Sequence, residues 1–206
     1  MRKSNSTRPD RRRARTKKMF SEALLSLIDE GSYDDITIQQ IADRADLSRA
    51  TFYLNFSDKD DLLISCLEAI YDELIAAHKR IQLQDLLPDG VPPSLIAFQQ
   101  AAAMRDMYRI MQRSNAAASL NARVKDYLAG HIRDDMIFVA ETAGVTNFVV
   151  PIDVLVEHMA SSLMGLIVWW LNHETDYTAE DMASLFHRLN APAWLNAFDI
   201  SPDTLK

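Results

Sequence analysis

Cysteine, glycine and proline are scarce in this chain. A single cysteine, Cys66, stands among 206 residues, so no intramolecular disulfide can form, and no Cys-x-x-Cys or Cys/His spacing offers a structural zinc site. Cys66 lies in the apolar stretch "DLLISCLEAI" and reads as a small buried hydrophobe. The longest uninterrupted apolar run, "LMGLIVWWL", falls well short of the roughly 18 residues that mark a membrane span. The basic start leads into "MFSEALLSLIDE", where Ser and Glu interrupt the apolar residues, so no secretory leader is expected. Together these absences predict a cytoplasmic protein without a membrane partner. Catalytic groupings are missing too. The five histidines (His78, His131, His158, His173, His187) are scattered, and no nucleophile–base arrangement or Gly-rich phosphate loop is readable. Asp153, Glu157 and His158 share one stretch and are the one grouping a metal-dependent enzyme could use. The expectation is no enzyme, no metal and no cofactor.

Five Gly and seven Pro leave few breaks for helices. Apolar residues recur at intervals of three and four almost throughout, which predicts an all-α chain. The first helix is expected from about Arg12 to Glu30, stopped by Gly31. A short helix opens at Thr37, where Gln40 completes a capping box. Ser48 caps the next one, "SRATFYLNF", and Ser57 or Asp58 a long fourth. Further helices are expected over 94–104, 105–114, 116–142, 151–173 and 179–190, closed by a tail, "PAWLNAFDI".

Net charge is -7, yet the basic residues cluster at one end. Arg2, Lys3, Arg8, Arg11, Arg12, Arg13 and Arg15 crowd the start, where they could follow a phosphate backbone. Two short helices joined by the turn "ADL" have helix-turn-helix spacing, in which the start of the second helix enters the major groove. Asp46, in the middle of that turn, can adopt the left-handed conformation at modest cost. Ala50, Phe52, Leu54 and Phe56 are expected to pack. Ser48, Arg49 and Thr51 fall near base edges, Arg49 offering two donors to guanine and Thr51 a methyl to thymine. Thr37, Tyr53 and Lys59 fall at the flanks, as phosphate contacts.

The segment "TIQQIADRADLSRATFYLNFSDKDDLL" resembles the DNA-binding signature of the TetR family of bacterial transcriptional regulators. The likeness covers about Arg12 to Leu67, with Asn55 where family members often carry His. It implies an N-terminal helix-turn-helix domain and a C-terminal helical domain for ligand binding and dimerisation: a basic arm (1–11), a DNA-binding domain (12–60) and an effector and dimer domain (61–206). The DNA-facing residues are then Thr37, Ser48, Arg49, Ala50, Thr51, Tyr53, Asn55 and Lys59. The implied protein is a homodimeric repressor that binds a near-palindrome in double-stranded DNA and is released by a small, largely apolar effector. Met104, Met107, Tyr108 and Met111, with Phe138, Trp169 and Trp170 opposite, are the expected effector residues. The dimer is expected to pair the helices at 151–173 and 179–190. "HMASSLMGLIVWW" is apolar around nearly its whole circumference, and Ser161, Ser162, Gly165 and Val168 supply small or compact contacts. A competing reading keeps the helix-turn-helix as a scaffold that acts through protein partners; the basic arm counts against it.

Overall fold

The structure is a computed structural model that describes residues 8–77, 81–87, 90–145 and 148–199. Among these the chain is all helix: α1 (Arg8–Glu30), α2 (Ile38–Arg44), α3 (Arg49–Tyr53), α4 (Lys59–Ala77), α5 (Leu95–Ala103), α6 (Arg105–Arg113), α7 (Ala117–Ala143), α8 (Ile152–Asn172) and α9 (Ala179–Ala197), with 3-10 turns at Tyr33–Asp35 and Leu83–Leu86. It divides into two compact units, one of Met1–Ala69 with Ile110–Leu120, the other of Ile70–Arg109 with Asn121–Lys206.

The first unit is built on aromatic packing. Phe20 of α1 meets Phe52 edge to face at 5.3 Å between ring centroids and Phe56 at 6.1 Å. Ile41 and Ala42 of α2 and Leu62 and Leu63 of α4 close the same core. α1 begins at Arg8, earlier than its apolar pattern indicates, so Arg8 and Arg11 of the expected arm are helical; a turn without apolar residues carries no periodicity to announce it. Arg2 and Lys3 lie outside the described residues.

The second unit packs α5, α8 and α9 together. Phe98 sits between Trp170 and Phe186 at centroid distances of 6.0 and 6.3 Å. The expected closing tail is instead the last part of α9, which continues through Pro192 to Ala197. Proline removes one helical hydrogen bond and costs about 3 kcal/mol in a helix interior. Here the burial of Trp194, Leu195, Ala197 and Phe198 offsets that loss, since an aromatic or Leu side chain contributes about 1.5–3 kcal/mol when fully buried. α8 is long and apolar enough to cross a membrane by length and composition, although its uninterrupted apolar run is short. Half of its apolar window is buried inside the protein, as suits a core helix.

Candidate nucleic-acid interface

The residues that build the interface are set by two caps and one strained turn. Thr37 Oγ1 accepts the Gln40 backbone N–H at 3.2 Å and Gln40 Oε1 accepts that of Thr37 at 2.8 Å, the reciprocal box expected for α2. α2 ends where Asp46 adopts φ of 54°. The Leu47 N–H reaches back to the Ala42 carbonyl and that of Asp46 to Asp43, a Schellman arrangement in which an aspartate holds the place that glycine usually fills. Ser48 Oγ then accepts the Thr51 N–H at 3.1 Å and bonds the Thr51 hydroxyl at 2.9 Å. The Ser48 cap therefore satisfies one free backbone donor of α3, that of Thr51, before any partner arrives.

α3 has only five residues, and its faces are sharply divided. Phe52 is fully buried, while Ser48, Arg49, Ala50 and Tyr53 are exposed and Thr51 and Asn55 half-buried. Tyr53 is 52% exposed with its ring edge-on to Phe52. Ala50 and Leu54 do not pack as expected; Leu54, at 77% exposure, is the residue on which α3 ends, so the helical period that would turn it inward stops there. Asn55 Nδ2 donates to the Thr51 carbonyl at 2.8 Å, which leaves one amide hydrogen for a ligand. An open groove runs beside α3, lined by Arg12, Arg13 and Thr16 of α1 together with Leu47, Thr51, Leu54 and Asn55. Thr16 was not among the residues singled out from the sequence. Its signal was available, since it lies one helical turn from Arg12 and Arg13 on the same face of α1.

One ion pair and one hydrogen-bond cluster hold this unit in shape. The Arg44 guanidinium grips the Glu30 carboxylate with two bonds of 2.8 Å, tying α2 to α1; the hydrogen bond from Arg44 holds the Glu30 carboxyl below its usual range. Burial, reinforced by its bond to Asp60, drives the Tyr33 hydroxyl far above the usual phenol range. Lys59 departs from expectation. Its ammonium donates to the carbonyls of Tyr33, Asp34 and Ile36 at 2.7, 3.0 and 3.1 Å instead of pointing away from the protein, and it lies 4.5 Å from the Tyr33 ring centroid.

The other expected sites fare differently. Met107, Tyr108 and Met111 are buried and Met104 and Phe138 half-buried. Met111 belongs to the first unit and Met104, Met107, Tyr108 and Phe138 to the second. Trp169 does not join them: it is 40% exposed on the outer face of α8 and stacks on His173 at 5.1 Å, whereas Trp170 is core. Ser161 and Gly165 are exposed on that same outer face, with Ser162 and Val168 half-buried. Asp153 and Glu157 are spoken for, by Arg133 at 2.7 Å and Lys125 at 2.6 Å. Among the described residues no group of three or more His, Cys, Asp or Glu could hold a metal.

Two short helices meeting at a left-handed turn, the second capped and turned outward beside a groove with two arginines, define a helix-turn-helix protein of the DNA-binding class. The sequence matches the N-terminal profile of bacterial regulatory proteins of the tetR family over residues 21–66 and that of a transcriptional regulator C-terminal region over residues 95–191. The chain belongs to the TetR family of transcriptional regulators. It is 24% identical over 160 residues to the uncharacterized HTH-type transcriptional regulator YerO of Bacillus subtilis strain 168, matching 72% of this chain and about half, 54%, of that protein. Two solved structures share the fold. The TetR transcriptional regulator from Streptococcus agalactiae 2603V superposes with a TM-score of 0.56 at 20% identity, covering 88% of this chain and 96% of its own. The regulator RolR in complex with its ligand resorcinol gives 0.50 at 19% identity, with 91% and 95% covered.

Proposed function

We propose that the protein is a homodimeric, ligand-responsive repressor whose two α3 helices read a near-palindromic operator. The observation that carries this reading is the division of α3: Phe52 and Phe56 are locked in the core while Arg49 and Tyr53 stand outside on a helix whose cap is already satisfied. Arg49 is placed to pair with a guanine edge and Thr51 to touch a thymine methyl. Thr37, Ser48, Ala50, Tyr53 and Asn55, with Arg12 and Arg13 in the groove, supply backbone contacts and close approach.

Dimerisation supports the same reading, because two half-sites one helical turn apart need two recognition helices related by a two-fold axis. The outer face of α8 offers the surface. Val154, Ser161, Gly165, Val168 and Trp169 follow the three-and-four spacing of one helical stripe, and α9 adds Leu185 and the 72%-exposed Leu189. Trp169, expected in the effector pocket, is thereby assigned to this interface. The effector is a small molecule with a large apolar surface, held in the second unit near Met104, Met107 and Tyr108. RolR, a regulator of similar fold, was solved with resorcinol bound, which supports a small-molecule effector here. An effector acts by its difference in affinity for the DNA-bound and free forms.

The test is a salt series on duplex DNA. A phosphate-binding dimer loses affinity linearly in log–log coordinates, with a slope of about -0.9 per neutralised phosphate. Slope near zero at all protein concentrations would remove DNA as the partner and favour the scaffold reading.

A further inference from the structure

We propose that Lys59 is a positioning residue for DNA binding, a clasp that fixes the segment leading into α2, and is not a ligand of the phosphate backbone. The inference rests on the reading of α3 as the DNA-binding helix. A lysine ammonium has three protons and no acceptor. All three have partners here: the carbonyls of Tyr33, Asp34 and Ile36, at 2.7, 3.0 and 3.1 Å. No proton is left for a phosphate oxygen without breaking one of these bonds.

The position of Lys59 makes the clasp consequential. It is the first residue of α4, where a cation opposes the positive end of the helix dipole. Asp60 and Asp61 in the same turn and three carbonyl dipoles offset that cost. The Tyr33 ring lies 4.5 Å from the ammonium, and the Tyr33 hydroxyl donates to Asp60, so the turn Tyr33–Asp35 is held to α4 from both ends of one tyrosine. Thr37, the cap of α2, follows Ile36 directly. The same turn is gripped a second time by Asp34, whose carboxylate accepts from the backbone and side-chain amides of Asn115 at 3.3 and 3.2 Å. The start of α4, the cap of α2 and residue 115 thus converge on one three-residue turn, and Lys59 is the group that closes it.

Arginine separates charge from geometry. It keeps a cation for phosphate, but its planar fork cannot place three donors on carbonyls that converge on one nitrogen. The experiment compares Lys59→Met and Lys59→Arg with the wild type, in the full chain, by amide hydrogen exchange over residues 33–40. Binding of a labelled duplex recovered by in vitro selection is then read across a salt series, at a temperature where each variant is folded. Both variants are expected to exchange faster in that segment by about tenfold or more and to lose duplex affinity by about tenfold at every salt concentration, with the salt slope unchanged. A slope reduced by about 0.9 in Lys59→Met and restored in Lys59→Arg would make Lys59 a phosphate ligand and overturn the proposal. Faster exchange with wild-type affinity would reduce it to a stabilising contact and overturn the positioning role as well. Failure of the wild type to bind any duplex would instead overturn the DNA reading on which the proposal rests, with the exchange data still reporting the clasp itself.

Discussion

Arg49 and Tyr53 project from a helix that does not need them to fold. Neither side chain fills the core, so Arg49→Ala should leave the melting temperature unchanged and lower operator affinity by roughly ten- to hundredfold, the 1–3 kcal/mol that a two-pronged base contact supplies. Mobility shift with the selected duplex checks this, and unchanged affinity would remove Arg49 from the interface. Asp46 poses the opposite case. A non-glycine residue held at φ of 54° stores roughly 1 kcal/mol of strain, so Asp46→Gly is expected to raise stability by up to that amount in urea unfolding. Stability unchanged or lower would mean that the carboxylate has a stabilising role that exceeds the strain. At this scale the sequence was legible wherever the signal was local. The cap pairs Thr37/Gln40 and Ser48/Thr51 lie three residues apart, and the left-handed Asp46 sits between two capped helices. Lys59 was not legible, because its partners are main-chain carbonyls 23 to 26 residues upstream. A backbone acceptor leaves no trace in side-chain identity.

Among the elements, the caps and the inter-helix ion pairs decide rigidity. Ser48→Ala removes the side-chain acceptor for the Thr51 N–H and should cost about 1 kcal/mol of stability; α3, having so few residues, should lose duplex affinity with it. The Lys125–Glu157 pair joins α7 to α8, and its hydrogen bonds from Lys125 and Ser161 hold the Glu157 carboxyl below its ordinary value of 4.5. A depressed folded-state pKa means that the contribution is fully present above that ordinary value and is lost as pH falls through the lowered one. Lys125→Met should therefore bring the Glu157 carboxyl back up toward 4.5 in an NMR titration; an unmoved midpoint would show that Ser161 alone sets it. Helix existence was readable from periodicity, but helix ends were not. α1 gained its first turn from residues with no apolar pattern, and α9 ran through Pro192 because Trp194 and Leu195 bury on the far side. A breaker residue is read locally, whereas the packing that overrides it is tertiary.

For the whole molecule, the all-α architecture followed from apolar spacing along the whole chain, and the family from a segment covering less than a third of it, Arg12 to Leu67. The remainder is less transparent, since an apolar stripe at helical spacing has the same appearance whether it lines a pocket, a core or an interface. Trp169 and Trp170 illustrate this, neighbours in sequence with one exposed beside Gly165 and the other buried against Phe98. Substitution of Val168 by Arg should place a charge in the proposed dimer stripe and shift the protein from dimer to monomer in sedimentation, with operator affinity lost in parallel; a monomeric wild type would refute the stripe as an interface. The measurement that bears most directly on the central claim is selection from random duplex DNA with the purified, folded protein at near-physiological salt. Enrichment of a near-palindrome with half-sites about one helical turn apart is the predicted result. Recovery of no preferred sequence would contradict the account of α3 as a reader of DNA.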